Sequence, residues 1–149
     1  MEAWPNGRDA GAESTVMMPG MDVPLGIRGL GTDLVEIERF RLALQRRVSL
    51  PDRLFTEGEQ RYAYEHHDPV SRLAVRFGAK EAVMKALGAG LGAFAFRDVE
   101  VVRDDDSGAP SLALHGAAAA RATARGVLAW HVSLTHTDTT AMAVVLALG

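Results

Sequence analysis

Residues 27–37 follow a two-residue apolar rhythm and read as a strand entered through Gly29 and Gly31. Residues 38–47 then predict a short helix, with Pro51 marking its end. Thr56 with Glu59 forms a capping-box pattern, so a second helix is expected from there to about His67. Asp68 is a suitable N-cap for a third helix with Pro69 in its first turn. Val70, Leu73, Ala74, Phe77, Met84 and Leu87 give that helix an apolar face, and Gly88 suits its C-terminal end.

The second half is strand-rich. Residues 97–103 and 111–115 predict a hairpin around the turn cluster 104–110, which contains Ser107-Gly108. An alanine-rich helix is expected over 117–125, stopped by Gly126. Residues 129–135 and 140–148 read as two further strands joined through Thr137-Asp138-Thr139. The order predicts an α+β fold: a largely antiparallel sheet with a long central helix and shorter helices. Before residue 27 no apolar period is sustained, and Pro5, Pro19 and Pro24 alternate with glycines. Residues 1–26 are therefore expected to be a flexible extension to a domain over 27–149. Met17, Met18 and Met21 raise the further expectation that the given start precedes the natural one.

Composition narrows the function. A formal net charge of −3 offers no global field for nucleic acid. The absence of cysteine excludes disulfides, thiolate metal sites and cysteine nucleophiles, and fits a reducing cytoplasm. The longest apolar run, 141–148, is far short of the roughly 20 residues that cross a bilayer. The first residues lack the apolar core of a signal peptide. A cytoplasmic protein without a membrane or nucleic-acid partner is expected.

Three places carry chemistry. Asp33 shares a strand face with Val35 and Ile37, where a carboxylate needs a hydrogen-bonded, charged or metallic partner. On the long helix Glu81 and Lys85 are four residues apart, as are Arg76 and Lys80. Such a set suits either an ordinary surface ion pair or a site where a carboxylate holds a cation and cations neutralise phosphate. In the strand before the last, His131, Ser133 and Thr135 share one face opposite Trp130, Val132 and Leu134. That row is either a solvated polar face or a set of ligand donors. Gly88, Gly90 and Gly92 follow a helix rather than a strand, so they are not a dinucleotide fingerprint, but they permit close approach of a ligand.

Together these segments form a recognisable set. Gly29-Leu30-Gly31-Thr32-Asp33-Leu34-Val35-Glu36-Ile37 resembles the first strand of holo-acyl-carrier-protein synthases, the short trimeric type of the 4'-phosphopantetheinyl transferase superfamily. Residues 76–88 resemble that family's R-F-x-x-K-E-A-x-x-K-A-x-G segment, and residues 131–137 its H-V-S-x-T-H-T strand. The resemblance implies transfer of phosphopantetheine from coenzyme A to a serine of apo acyl carrier protein, releasing adenosine 3',5'-bisphosphate. The setting is fatty acid biosynthesis, with polyketide synthesis as a second. It also implies a homotrimer with sites between subunits.

By the same resemblance Asp33 and Glu81 hold magnesium, with manganese as a substitute, and Glu81 and Lys85 are the catalytic pair. Either Glu81 or a water on the cation takes the serine proton. Arg76, Lys80, Lys85, Gly88, Gly90, His131, Ser133 and Thr135 are the expected coenzyme A contacts. Carrier proteins of this class are acidic near the modified serine. Arg39, Arg41, Arg46 and Arg47, with Phe40, Leu42 and Leu44, are the expected docking surface. Two positions depart from the family pattern: Gly78 replaces a common alanine, and Ala89 a threonine. A non-catalytic coenzyme A or nucleotide-binding module and a purely structural oligomer are the competing readings.

Overall fold

The computed structural model describes residues 26–149; the expected extension lies outside them but for Gly26. Strand β1 (Ile27–Glu36) runs directly into helix α1 (Ile37–Arg46). Helices α2 (Leu50–Leu54), α3 (Glu57–Tyr64) and α4 (Pro69–Ala86) follow. A single 3-10 turn at Phe96–Asp98 leads into β2 (Val99–Arg103) and β3 (Pro110–Leu114). Helix α5 (Gly116–Ala124) precedes β4 (Ala129–His136) and β5 (Thr140–Leu148). The strands form an antiparallel sheet in the order β1-β5-β4 and a separate β2-β3 hairpin. The predicted α+β class holds.

Helix α4 is the centre of the molecule. Twelve of its residues are buried, so it is enclosed around most of its circumference rather than along one stripe. Its start matches the predicted signals: Asp68 accepts a bond from the Val70 N–H, and a proline stands in the first turn. One side lies on β1 and β5, where Ala79, Ala82, Val83 and Ala86 meet Ala143, Val145 and Ala147. The approach is so close that a Cβ on Gly31 would overlap the Ala82 carbonyl oxygen and stand 2.7 Å from its carbon. Gly29 meets Ala86 in the same way. These two glycines let a strand pass directly beneath a helix backbone.

Three expectations need correction. Pro51 does not simply end a helix; it lies in the first turn of α2, where its missing N–H deprives the helix of nothing. Helix α3 stops at Tyr64 rather than near His67, because Asp68 precedes a proline and is held extended. The hairpin strand begins at Val99 because residues 96–98 curl into the 3-10 turn.

Candidate active site

Strand alternation points Asp33 toward α4, opposite Ala143 in the sheet. There Lys85 Nζ donates to Asp33 Oδ1 at 2.8 Å and to the Thr32 carbonyl at 2.9 Å. Glu81, one turn earlier on α4, is partly buried. Desolvation pushes its pKa up, Asp33 pushes it further, and Lys85 opposes both. Two neighbouring carboxylates with a lysine beside them form an acidic pair suited to a hard cation. Among the described residues no three or more His, Cys, Asp or Glu gather into a complete metal cage. Two protein oxygens are nonetheless enough for magnesium, whose remaining positions are commonly filled by phosphate and water. Asp33, Glu81, Arg39, Phe40 and Phe77 line one open groove, so α1 forms a wall beside the carboxylates.

The expected cluster of cations around Glu81 is divided by the fold. Lys85 alone reaches the carboxylate pair. Lys80 is fully buried and donates to Glu59 Oε2 at 2.8 Å, to the Phe96 carbonyl at 3.0 Å and to the Val99 carbonyl. All three of its protons are thus engaged inside the protein, which removes it from the coenzyme A contacts. Arg76 is 6% exposed and places its guanidinium 4.1 Å from the Tyr62 ring centre. Burial lowers its pKa, opposed first by Tyr62 and then by Glu59.

Arg76 belongs to a second cavity, with Tyr62, Arg72, Arg103, Gly108, Pro110, Thr135 and His136 along its walls. Its Nε is enclosed without a hydrogen-bond partner, and Arg72 and Arg103 add to it a cationic lining that suits an anion. Arg72 Nη1 lies 3.4 Å from His136 Nε2. Arg72, Arg103, Tyr62 and His136 were not expected from the sequence. They are scattered over α3, α4, β2 and β4, and no spacing links them.

The remaining residues separate. His131, Ser133 and Thr135 are exposed on the outer sheet face, while Trp130, Val132 and Leu134 pack inward. Within one chain that row is not brought to the carboxylate pair, and only Thr135 reaches the cationic cavity. Gly88 has φ +58° at the end of α4, and a Cβ on Gly90 would meet nothing within 4 Å. Ala89 packs partly buried against the core and presents no hydroxyl. At Gly78 an added Cβ would stand 3.4 Å from Val35, an ordinary contact, so space does not demand a glycine there.

Arg39 and Arg46 on α1, and Arg47 just after it, are exposed. Arg41 is not free for docking: it lies 3.2 Å from Glu38 and 3.4 Å from Asp68, pinning α1 to the start of α4. Phe40 is buried and stacks on Phe77 with ring centres 5.2 Å apart, so it serves the core rather than a partner. Leu44 is half-buried, and Leu42 stays 42% exposed.

A family model for the 4'-phosphopantetheinyl transferase superfamily matches residues 29–145. The chain belongs to the 4'-phosphopantetheinyl transferase superfamily. It is 48% identical over 125 residues to the holo-[acyl-carrier-protein] synthase of Streptomyces avermitilis, covering 84% of this chain and 100% of that one. The crystal structure of the Neisseria meningitidis holo-[acyl-carrier-protein] synthase superposes with a TM-score of 0.75 at 31% identity, over 82% of this chain and 98% of that one. A Bacillus anthracis holo-(acyl-carrier-protein) synthase in complex with CoA (3',5'-ADP) gives 0.67 at 30% identity, over 83% and 97% of the two chains. The segments 29–37, 76–88 and 131–137 fall largely in β1, α4 and β4, which contribute to the two sites above together with α1, α3 and the β2-β3 hairpin.

Proposed function

We propose that this chain transfers 4'-phosphopantetheine from coenzyme A to a serine of an apo acyl carrier protein, in fatty acid biosynthesis. The observation that carries the reading is the Asp33–Glu81–Lys85 arrangement beside a groove walled by α1, in a chain of this superfamily. Relatives named holo-[acyl-carrier-protein] synthase, one of them solved with coenzyme A, support it. Asp33 and Glu81 would hold magnesium, which supplies stabilisation of charge developing on the pyrophosphate oxygens. Lys85 would balance phosphate charge at the same place, and either Glu81 or a water on the cation would accept the serine proton. Arg72, Arg76 and Arg103 give the second cavity a cationic lining suited to an anionic part of the donor.

Incubation with apo carrier protein, coenzyme A and magnesium, read by mass spectrometry, tests the reading. The expected result is a carrier-protein mass gain equal to one phosphopantetheine arm. Binding of coenzyme A without that gain would favour the binding-module reading, and neither would leave a structural oligomer.

The outer sheet face favours a trimer. Leu30 and Leu34 are 60% and 67% exposed on β1. They border Leu146 and Met142 of β5, which in turn adjoin His131 and Thr135 of β4. An apolar strip flanked by donors suits a subunit contact and would bring the His131 row to a neighbour's site. Light scattering at working concentration is expected to report three protomers; an active monomer would overturn the shared site.

Docking of the carrier protein is assigned to Arg39, Arg46 and Arg47. Arg39 lines the same groove as Asp33 and Glu81, so a partner held there presents its serine to the site. Reversing charge at Arg39 and Arg46 is expected to raise the KM for carrier protein about tenfold at low salt and to flatten its salt dependence. The KM for coenzyme A should stay unchanged. Unaltered carrier-protein kinetics would move the docking surface elsewhere.

A further inference from the structure

The phosphopantetheine reading uses neither Glu59 nor Lys80, yet these are the two charged side chains most completely enclosed among the described residues, at 2% and 0% exposure. Removing two ions from water is costly, and an apolar pair of similar size commonly packs as well or better. The pair is also unusually well connected. Glu59 Oε1 accepts the Val101 N–H at 2.9 Å, and Oε2 accepts the Thr56 N–H at 2.9 Å together with Lys80. Lys80 reaches the Phe96 and Val99 carbonyls. One ion pair therefore joins the first turn of α3, the middle of α4, the 3-10 turn and β2.

We propose that Glu59 and Lys80 are positioning residues that set the rotation of α4, so that Glu81 meets Asp33 while Arg76 meets Tyr62. The need follows from the other side of the helix. Against the sheet α4 presents Gly78, Ala79, Ala82 and Ala86, and the sheet answers with Gly29, Gly31, Ala143 and Ala147. Small residues allow close approach, but they make shallow ridges and grooves and resist sliding or turning weakly. Hydrogen bonds from a buried charge are directional and fix one rotation. Residues 80 and 81 are neighbours about 100° apart around a helix, so holding one inward aims the other at β1. Arg76 is four residues before Lys80, and Tyr62 three after Glu59, so the two contacts form successive rungs between α3 and α4. Glu59 also acts electrostatically on Arg76.

This inference rests on the transferase reading, and its test separates the two. The double variant Glu59→Gln/Lys80→Met removes both buried charges, approximates both shapes and leaves an amide to serve the Val101 N–H. It is expected to be folded at assay temperature by circular dichroism and urea titration. Its KM for coenzyme A should rise about fivefold or more while kcat falls about tenfold. Amide exchange across 77–85 should quicken about tenfold relative to β5. A purely structural pair would lower kcat in proportion to the unfolded fraction, with KM and exchange unchanged, and that result would overturn the proposal. Should the double variant not fold, Glu59→Asp, which keeps both charges but shortens one arm, is judged by the same criteria. If the wild-type chain transfers nothing, the transferase reading fails, and the exchange comparison alone decides whether the pair holds α4.

Discussion

Replacing Glu81 with glutamine is expected to abolish most transfer activity while making the protein more stable at neutral pH. The two effects share a cause. Folding places Glu81 near Asp33 in a partly desolvated position, and both influences raise its pKa. A carboxyl raised by folding supports the native state below its unfolded pKa, and that support is lost as pH rises through the folded value. At pH 7 the ionised Glu81 therefore opposes folding, relieved only in part by Lys85. Glutamine removes the repulsion and keeps the shape. The urea midpoint at pH 7 should rise, and the advantage should shrink as pH falls through the raised folded value and be gone below the ordinary carboxylate range. Activity at saturating magnesium should fall by roughly 10²–10³, the usual loss when a group stabilising transition-state charge is deleted. Wild-type turnover would remove Glu81 from the site. A neutral-pH midpoint no higher than wild type would mean that the pair does not repel. Such an exchange of stability for function is common where like charges await a ligand.

Gly31→Ala is expected to be among the most damaging single changes in the chain. Its Cβ would overlap the Ala82 carbonyl oxygen, a backbone atom that cannot rotate aside. Either β1 or α4 must shift, disturbing β1–β5 pairing and the alignment of Asp33 with Glu81 and Lys85. Overpacking of this kind costs about 3 kcal/mol or more. For a domain of this size that lowers the thermal midpoint by about 10 °C. Gly78→Ala is the internal control. Its Cβ makes an ordinary 3.4 Å contact with Val35, and alanine is favoured over glycine within a helix by about 1 kcal/mol. It should melt at or above the wild-type temperature. If Gly31→Ala melted like Gly78→Ala, the close passage of β1 beneath α4 would be wrong.

Much of this protein follows from local signals. Thr56 caps the Glu59 N–H, and the Glu59 carboxylate returns to the Thr56 N–H, as their spacing requires. Asp68 and Pro69 open α4, and Gly88 adopts the left-handed conformation just after it. Asp33 falls on the helix-facing side of β1 because strand alternation leaves it no choice. Period two put Asp33 on the face of Val35, and the four-residue helical step put Glu81 and Lys85 on one face; that the three belong to one site came from the family resemblance. The ordered motifs also pointed to the family that the comparisons established.

Tertiary structure decided what each charge does. Arg76, Lys80 and Lys85 look alike along the helix, yet Lys85 meets Asp33, Lys80 meets Glu59, and Arg76 meets Tyr62. Periodicity states which residues share a face; it does not state what lies opposite. The same limit applies to Arg41, claimed by Asp68, to Phe40, claimed by Phe77, and to the cationic cavity, whose walls come from α3, α4, the β2-β3 hairpin and β4. Local rules act over one helical turn or one strand pair. A site assembled from long-range neighbours exists only once packing has chosen which faces meet, and here that choice turns on two glycines beneath α4 and one buried ion pair beside it.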